Sequence, residues 1–368
     1  MWTAPWLLLL AVLPILLRQR PSLSSYSAAP PAEGPLVSII VPTLDDARRV
    51  GPCLATLLDC DYPRYEVLVA DAGSRDGTRE IVAALEERAP SQVRLLSVGP
   101  APAGWTTASW SCWRGSREAR GGLLLFTRPG TLHDAELLPR AVTALEAEGA
   151  DLVSVFPRLA MEGFWERLVM PHIWLVFRAR LPSAVVVNRS QDPAEAVASS
   201  QFLLFRREAY EAIGGHEGAG REGPEASMLA RAVLSAGRRL FLVHGEDQLE
   251  ARLYRSLGGI ADELTVAASL ASRIDARKWL SMVLAWVTAA LPVIFFVLPT
   301  LILLASLGGL VARWGAVWAA WAWTLSLALW LIVYARHRIR PAYAVAYPAG
   351  ALVSALVFGR AILLRDDW

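Results

Sequence analysis

The chain has 368 residues, 54% of them hydrophobic and only 19% charged, a balance too apolar for an ordinary soluble enzyme. Its net charge of +2 leaves no polyanion footprint, which excludes nucleic acid as a partner. Three cysteines, Cys53, Cys60 and Cys112, are an odd count without metal-ligand spacing and argue against both a disulfide framework and a zinc site.

The chain opens on an apolar run over residues 2–17, followed by Arg18 and Arg20. Positive charge after the run suits a membrane anchor with its amino terminus outside; a cleaved signal peptide is the alternative. The run is short against the roughly 20 residues a span normally uses. Residues 1–20 are therefore expected to be an N-terminal transmembrane anchor, and 21–35, rich in Ser, Ala and Pro, a linker.

From residue 36 onward, short apolar strands alternate with helical periodicity. Strands are expected over 36–41, 66–70, 93–98, 123–126, 151–156, 202–205 and 240–243. Helices fall over 47–58, 79–88, about 134–148, 206–213 and 227–237, with a Trp-, Gly- and Pro-rich loop over 99–113. This alternation predicts an α/β fold with a doubly wound, mostly parallel sheet. Residues 164–177 are apolar and aromatic yet too short to span, and read as a segment dipping into the membrane surface or as a core helix.

A connector over 257–278 leads into a membrane region, 279–368. Its apolar runs are 279–311, interrupted by Pro292 and Pro299, then 316–334 and 342–358, which makes about three C-terminal transmembrane helices. Arg336, His337, Arg338 and Arg340 lie between the last two and mark a cytoplasmic loop.

In such a sheet, ligands bind beyond the carboxyl ends of the strands. Asp71 ends the second expected strand and begins Asp71-Ala72-Gly73-Ser74-Arg75-Asp76-Gly77-Thr78. An acidic residue there accepts from a nucleobase or ribose, or simply caps its turn. The end of the 123–126 strand carries Arg128-Pro129-Gly130, where a metal would want carboxylates. Among other polar residues, Asp134 is expected to cap its helix, and Glu217, Glu222 and Glu225 to form a solvated acidic loop. His133, His172, His216 and His244 show no metal-ligand spacing.

The order of several short motifs resembles the family 2 glycosyltransferases of GT-A (Rossmann-like) fold. The motifs are Val41-Pro42, Asp45-Asp46, Asp61-Tyr62-Pro63, the Asp71 to Thr78 turn, Gly104-Trp105, Arg206 to Tyr210, Gly214-Gly215-His216 and Arg252-Leu253-Tyr254. The resemblance covers residues 36–256, and the membrane-anchored subgroup associated with hopanoid and carotenoid-type lipids is the most similar. It implies a nucleotide pocket lined by Pro42, Thr43, Asp45, Asp46 and Asp71, and acceptor-side residues Trp105, Ser200, Gln201, Arg252 and Tyr254. It also implies an integral protein of a bacterial-type inner membrane, with the catalytic-type domain facing the cytoplasm. A nucleotide-sugar donor, a lipid acceptor of polyprenoid type and membrane protein partners complete the expectation.

Two positions depart from the family's pattern. The family binds Mg²⁺ or Mn²⁺ through an Asp-x-Asp just after Thr127, where Arg128-Pro129-Gly130 stands, so no metal ligand is assigned. The acceptor-activating base should be the second residue of a Glu-Asp pair that here reads Glu225-Ala226. Glu225 is the neighbouring candidate for the catalytic role, and Arg128 a candidate phosphate partner, since guanidinium matches phosphate oxygens in pairs. Two functions follow: sugar transfer from a nucleotide donor to a lipid with impaired or lost catalysis, or a non-catalytic relative acting as a scaffold in a membrane complex.

Overall fold

A computed structural model describes residues 21–29, 34–180, 182–219, 224–252, 256–262, 264, 287, 289–310 and 312–363. The expected anchor over 1–20, Tyr254 and most of the 257–278 connector lie outside these residues. The described residues fall into two compact units, one within 20–160 and 182–253, the other within 161–181 and 254–368.

The first unit is built on a seven-stranded sheet in the order β3-β2-β1-β4-β8-β6-β9. β1 (Val37–Thr43) is buried along its whole length, as its Val-Ser-Ile-Ile-Val run requires of a strand covered on both faces. β2 (Tyr65–Asp71) and β4 (Leu123–Thr127) flank β1 in parallel, and β3 (Val93–Ser97) lies outside β2. β8 (Phe202–Arg206) runs antiparallel between β4 and β6 (Leu152–Phe156), and β9 (Leu240–His244) closes that edge in parallel with β6. The mostly parallel sheet expected from the alternation of elements is thus present.

Helices α1 (Ala47–Leu58), α2 (Thr78–Arg88), α3 (Thr107–Glu118) and α4 (Leu137–Ala147) connect these strands. Two apolar layers result, one holding Ile39, Val41, Leu54, Val69 and Leu125, the other Ile40, Leu68, Phe126, Leu203 and Leu229. The alternation of Ile39 and Ile40 between the layers is the two-residue period of a strand. Burial of each such side chain is worth roughly 1.5–3 kcal/mol. α3 lies so close to β1 that a Cβ on Gly115 would sit 2.6 Å from the Ile40 side chain.

The chain leaves β1 for β2 and β3 on one side, while β4 takes the other side. The crevice between the carboxyl ends of β1 and β4 is therefore the switch point at which open α/β sheets bind ligands. A second, three-stranded sheet, β5 (Thr131–His133), β10 (Leu249–Ala251) and β7 (Arg158–Leu159), is not foreshadowed in the sequence. β10 also follows β9, which had read as the last strand.

Helices α5 (Phe164–Arg180), α6 (Ala184–Arg189), α7 (Arg207–Ala212), α8 (Gly215–Gly218) and α9 (Glu225–Ser235) come next in the chain. All but α5 belong to the first unit.

The second unit is helical: α5, α10 (Leu298–Leu307), α11 (Arg313–Arg336), α12 (Ala342–Val345) and α13 (Tyr347–Leu363). Among the described residues, two helices are by length and composition able to cross a membrane, Ala289–Leu307 and Arg313–Arg336; the apolar α13 is shorter, at 17 residues. The first contains a π-helical turn, Val293–Val297, between Pro292 and Pro299, where the expected apolar run is interrupted. Leu301, Leu304, Leu307, Trp314 and Trp321 on these helices are all exposed.

α5 packs as a core helix of this unit: Leu168, Val169, Met170, His172 and Ile173 are buried. The His172 ring stacks on Trp330 at 3.7 Å, with its nitrogens 3.1 Å from the carbonyl oxygens of Leu168 and Tyr347. Gly350 leaves room for that ring, because a Cβ there would meet His172 Cε1 at 2.5 Å.

Candidate active site at the switch point

The loops after β1 and β2 are joined by their own side chains. Asp45 adopts a left-handed backbone, φ 53°, which short polar residues tolerate. Its N–H donates to Ser74 Oγ at 2.9 Å, and its carboxylate accepts the Arg75 N–H at 2.8 Å. The Asp46 N–H donates to Thr78 Oγ1 at 2.8 Å and the Ala47 N–H to Asp76 at 3.0 Å. Bonds from the Thr78 hydroxyl and the Ala47 N–H hold the Asp76 carboxyl below its usual range.

Asp71 is fully buried at the end of β2, and its register partner is Thr43. Its carboxylate accepts from the N–H groups of Gly73 and Ser74 at 3.1 and 3.2 Å, from the Ser74 hydroxyl, and from Thr43 Oγ1 at 3.3 Å. Arg79 approaches to 3.8 Å. A carboxylate accepts about four hydrogen bonds, so Asp71 fastens its own turn. Contact with a nucleobase would require one of the two hydroxyls to rotate away. Pro42, Thr43, Asp45, Asp46 and Asp71 are thus gathered at one crevice edge, with Asp45 exposed and Asp46 paired to Arg49.

β4 opens into the turn Arg128-Pro129-Gly130, whose backbone is held from several sides. The Arg128 carbonyl oxygen accepts from the Thr131 N–H at 3.1 Å, the Thr131 hydroxyl at 2.6 Å and the Cys53 thiol at 3.5 Å. Burial pushes the Cys53 thiol up to about 12, which keeps it a donor. The Thr127 hydroxyl donates to the Gln201 carbonyl oxygen at 2.7 Å, and the Arg252 N–H donates to the Gly130 carbonyl oxygen at 2.9 Å. The expected acceptor-side residues Gln201 and Arg252 therefore meet the turn through their backbones. Ser200 sits beside Gln201 in the turn before β8. Trp105 packs instead on Trp110 and Trp113, 5.6 Å from each.

The side chain of Arg128 does not lie loose in a Pro-Gly turn. It makes a close ion pair with Glu225, and only 23% of the Arg128 side chain and 12% of the Glu225 side chain are exposed. Glu225 is therefore no part of a solvated loop, contrary to the expectation. It stands in the first turn of α9, where the helix dipole favours a carboxylate. Its other oxygen lies 2.7 Å from His216 Nε2. Burial works to raise the Glu225 carboxyl, but the Arg128 charge together with the bond and charge of His216 holds it down at about 2. An ionised carboxylate only accepts, so His216 Nε2 carries the proton in that bond.

His216 Nδ1 lies 2.6 Å from the Tyr210 hydroxyl, which in turn lies 3.3 Å from Ser116 Oγ. The Phe126 ring packs 4.8 Å from the imidazole. Arg128 and Glu225 are candidates from the sequence, but their pairing and its extension through His216 to Tyr210 are not legible there, since the members are scattered along the chain. The one available signal was a His after Gly214-Gly215, whose left-handed turns, φ 72° and 59°, aim it inward.

The donors here do not fit Mg²⁺ or Mn²⁺. Those ions take oxygen ligands, preferably carboxylates, and the turn after Thr127 offers a guanidinium. Cys112, His216 and Glu225 each present a ligand atom within 4.8 Å of the others, a cluster the spacing of the sequence did not announce. Burial and the nearby Glu225 charge keep the Cys112 thiol protonated well above its usual range, while the Arg128 cation holds the free side of that carboxylate. A divalent cation would face a fixed positive charge in place of a second acid. Ala226, at the expected base position, is 5% exposed and cannot accept a proton.

Against solved structures, the fold is that of the GT-A glycosyltransferases. The mannosyltransferase PcManGT from Pyrobaculum calidifontis, in complex with GDP-Man and Mn²⁺, is similar over 95% of this chain and 93% of its own, with a TM-score of 0.53 and 19% identity. Residues 38–214, a little under half of the chain, match the family model described as Glycosyl transferase family 2. Glycosyltransferase AglE of Haloferax volcanii is 30% identical over 121 residues, which are 32% of this chain and 38% of that relative. The chain thus aligns with little more than a third of the length of that curated protein.

Proposed function

We propose that the protein is a membrane-bound family 2 glycosyltransferase, moving a sugar from a nucleotide-sugar donor to a lipid acceptor of polyprenoid type. The observation that carries this reading is the crevice between β1 and β4. Two loops stitched by Asp45, Asp46, Ser74 and Thr78 form one edge, and the turn after β4 carries a cation. Helices Ala289–Leu307 and Arg313–Arg336, with their exposed Leu and Trp side chains, support insertion in a bilayer; the basic residues Arg336, Arg338 and Arg340 favour a cytoplasmic side for their loop. AglE and PcManGT are named as transferases, which agrees with this class of reaction.

The rate is expected to be low. Loss of a positioned general base costs roughly 10²–10⁴-fold, and Ala226 supplies none. The neighbouring carboxylate, Glu225, is committed to Arg128 and His216. That commitment favours a second reading, a non-catalytic relative that keeps the crevice and serves as a scaffold in a membrane complex.

The test uses the purified full chain in lipid nanodiscs with UDP- and GDP-sugars and an extracted polyprenoid lipid. Release of nucleoside diphosphate that depends on the lipid supports the transferase. Donor binding without any release favours the scaffold, and failure to bind any nucleotide sugar sinks the transferase reading.

A further inference from the structure

We infer that Arg128 binds the donor's diphosphate in place of a divalent cation, and that Glu225 is its positioning residue, an internal anion that the incoming diphosphate displaces. The inference rests on the transferase reading above and specifies how its phosphate end works.

The placement comes first. Arg128 follows the last residue of β4, at the side of the switch point facing β1. The Arg49 side chain passes beside the same turn, since a Cβ built on Gly130 would lie 3.8 Å from Arg49 Cδ. Arg49 is paired with Asp46, so the nucleotide edge and the Arg128 turn adjoin.

Rigidity is the second argument. Three donors on the Arg128 carbonyl oxygen fix the backbone, and Glu225 fixes the guanidinium. Glu225 is itself fixed by His216 and by its place in the first turn of α9. A loose surface arginine would need none of this. A cation held in advance is what a charge-stabilising site requires, because nothing has to reorganise when the leaving group's charge develops.

Chemistry gives the third. Guanidinium pairs with a carboxylate or a phosphate through the same planar fork of donors. The Glu225 carboxylate thus occupies Arg128 as a phosphate oxygen would. On displacement its carboxylate keeps the hydrogen bond from His216 Nε2.

Binding of uridine, guanosine, UDP and GDP to the full chain in detergent, with EDTA or with Mn²⁺, tests this by calorimetry. The expected result is a diphosphate bound at least tenfold more tightly than its nucleoside, unchanged by EDTA. Glu225→Gln removes the competing charge and tightens diphosphate binding several-fold, whereas a merely structural residue would leave it unchanged or weaker. The paired change Arg128→Met with Glu225→Gln leaves neither charge buried alone, and is expected to erase the diphosphate preference while keeping nucleoside affinity. A diphosphate preference that needs Mn²⁺, or that survives the paired change, overturns the inference. So does Glu225→Gln binding no tighter than the native chain. Nucleoside binding with no gain from the diphosphate overturns it and leaves the transferase reading standing. No binding of either ligand removes both.

Discussion

The Thr131 hydroxyl donates to the Arg128 carbonyl oxygen at 2.6 Å while lying 2.9 Å from His133 Nε2. The Thr127 hydroxyl proton is likewise committed, to the Gln201 carbonyl oxygen. His133 must therefore supply the proton to both threonine oxygens, which places it on Nε2. Burial pushes the His133 imidazole down to about 3, so it is neutral at neutral pH. Thr131→Val removes one donor and one acceptor from this buried group. Stability is expected to fall by about 1–3 kcal/mol, read from urea unfolding of the full chain in detergent; an unchanged midpoint would show that the turn is held otherwise.

The Arg128–Glu225 pair makes a contrast between single and paired replacement. Glu225→Ala strands a part-buried guanidinium and is expected to cost about 3–5 kcal/mol. Replacing both residues with Met removes both desolvation costs and should recover most of the loss. If the paired variant is no more stable than the single one, the close pairing of the two charges is not what the region depends on.

Acid should act through the same carboxylate. Glu225 is held at about 2, against 4.5 in the unfolded chain, so its stabilisation is complete above pH 4.5 and lost as pH falls towards 2. By linkage the contribution is on the order of 3 kcal/mol. Glu225→Gln should flatten the stability profile in that window and leave the neutral range parallel to the native curve. An acid limb identical in both proteins would refute the assignment.

Two adjacent glycines offer a test of the packing at the base of β4. A Cβ on Gly121 would meet the Leu36 oxygen and the Ser38 nitrogen at 2.6 Å, both of them backbone atoms that cannot swing aside. Gly122 has its nearest neighbour at 4.0 Å. Gly121→Ala is expected to destabilise by about 1–3 kcal/mol and Gly122→Ala to be close to neutral, as measured by thermal unfolding. Equal effects would mean that the β1–β4 approach is looser than the geometry implies.

The long strands were legible because their apolar residues run together: Val37 to Val41 and Leu123 to Phe126 bury every residue, as such runs should. The second sheet was not, since strands of two or three residues such as Arg158–Leu159 are too short to show a period. Residues 164–177 were ambiguous for a physical reason: an apolar helix reads alike whether it meets lipid or other helices. His172, wedged between Trp330 and Gly350, shows the segment packing within its unit, while Phe164 and Trp165 at its start stay exposed. The site divides in the same way. The nucleotide edge follows a contiguous motif from Asp71 to Thr78, whereas the buried network joins residues 112, 128, 216 and 225, of which Arg128 and Glu225 stand out only against the family's pattern and Cys112 not at all. Proximity across the fold leaves no trace in local spacing.

The cross-bonding of the two nucleotide-side loops carries a consequence for how this edge could ever open. Asp45 gives its amide to Ser74 and takes that of Arg75, and Asp46 and Ala47 reach Thr78 and Asp76. Neither loop can swing without drawing the other, so this rim behaves as one lip. Any opening at this edge would have to move both loops together.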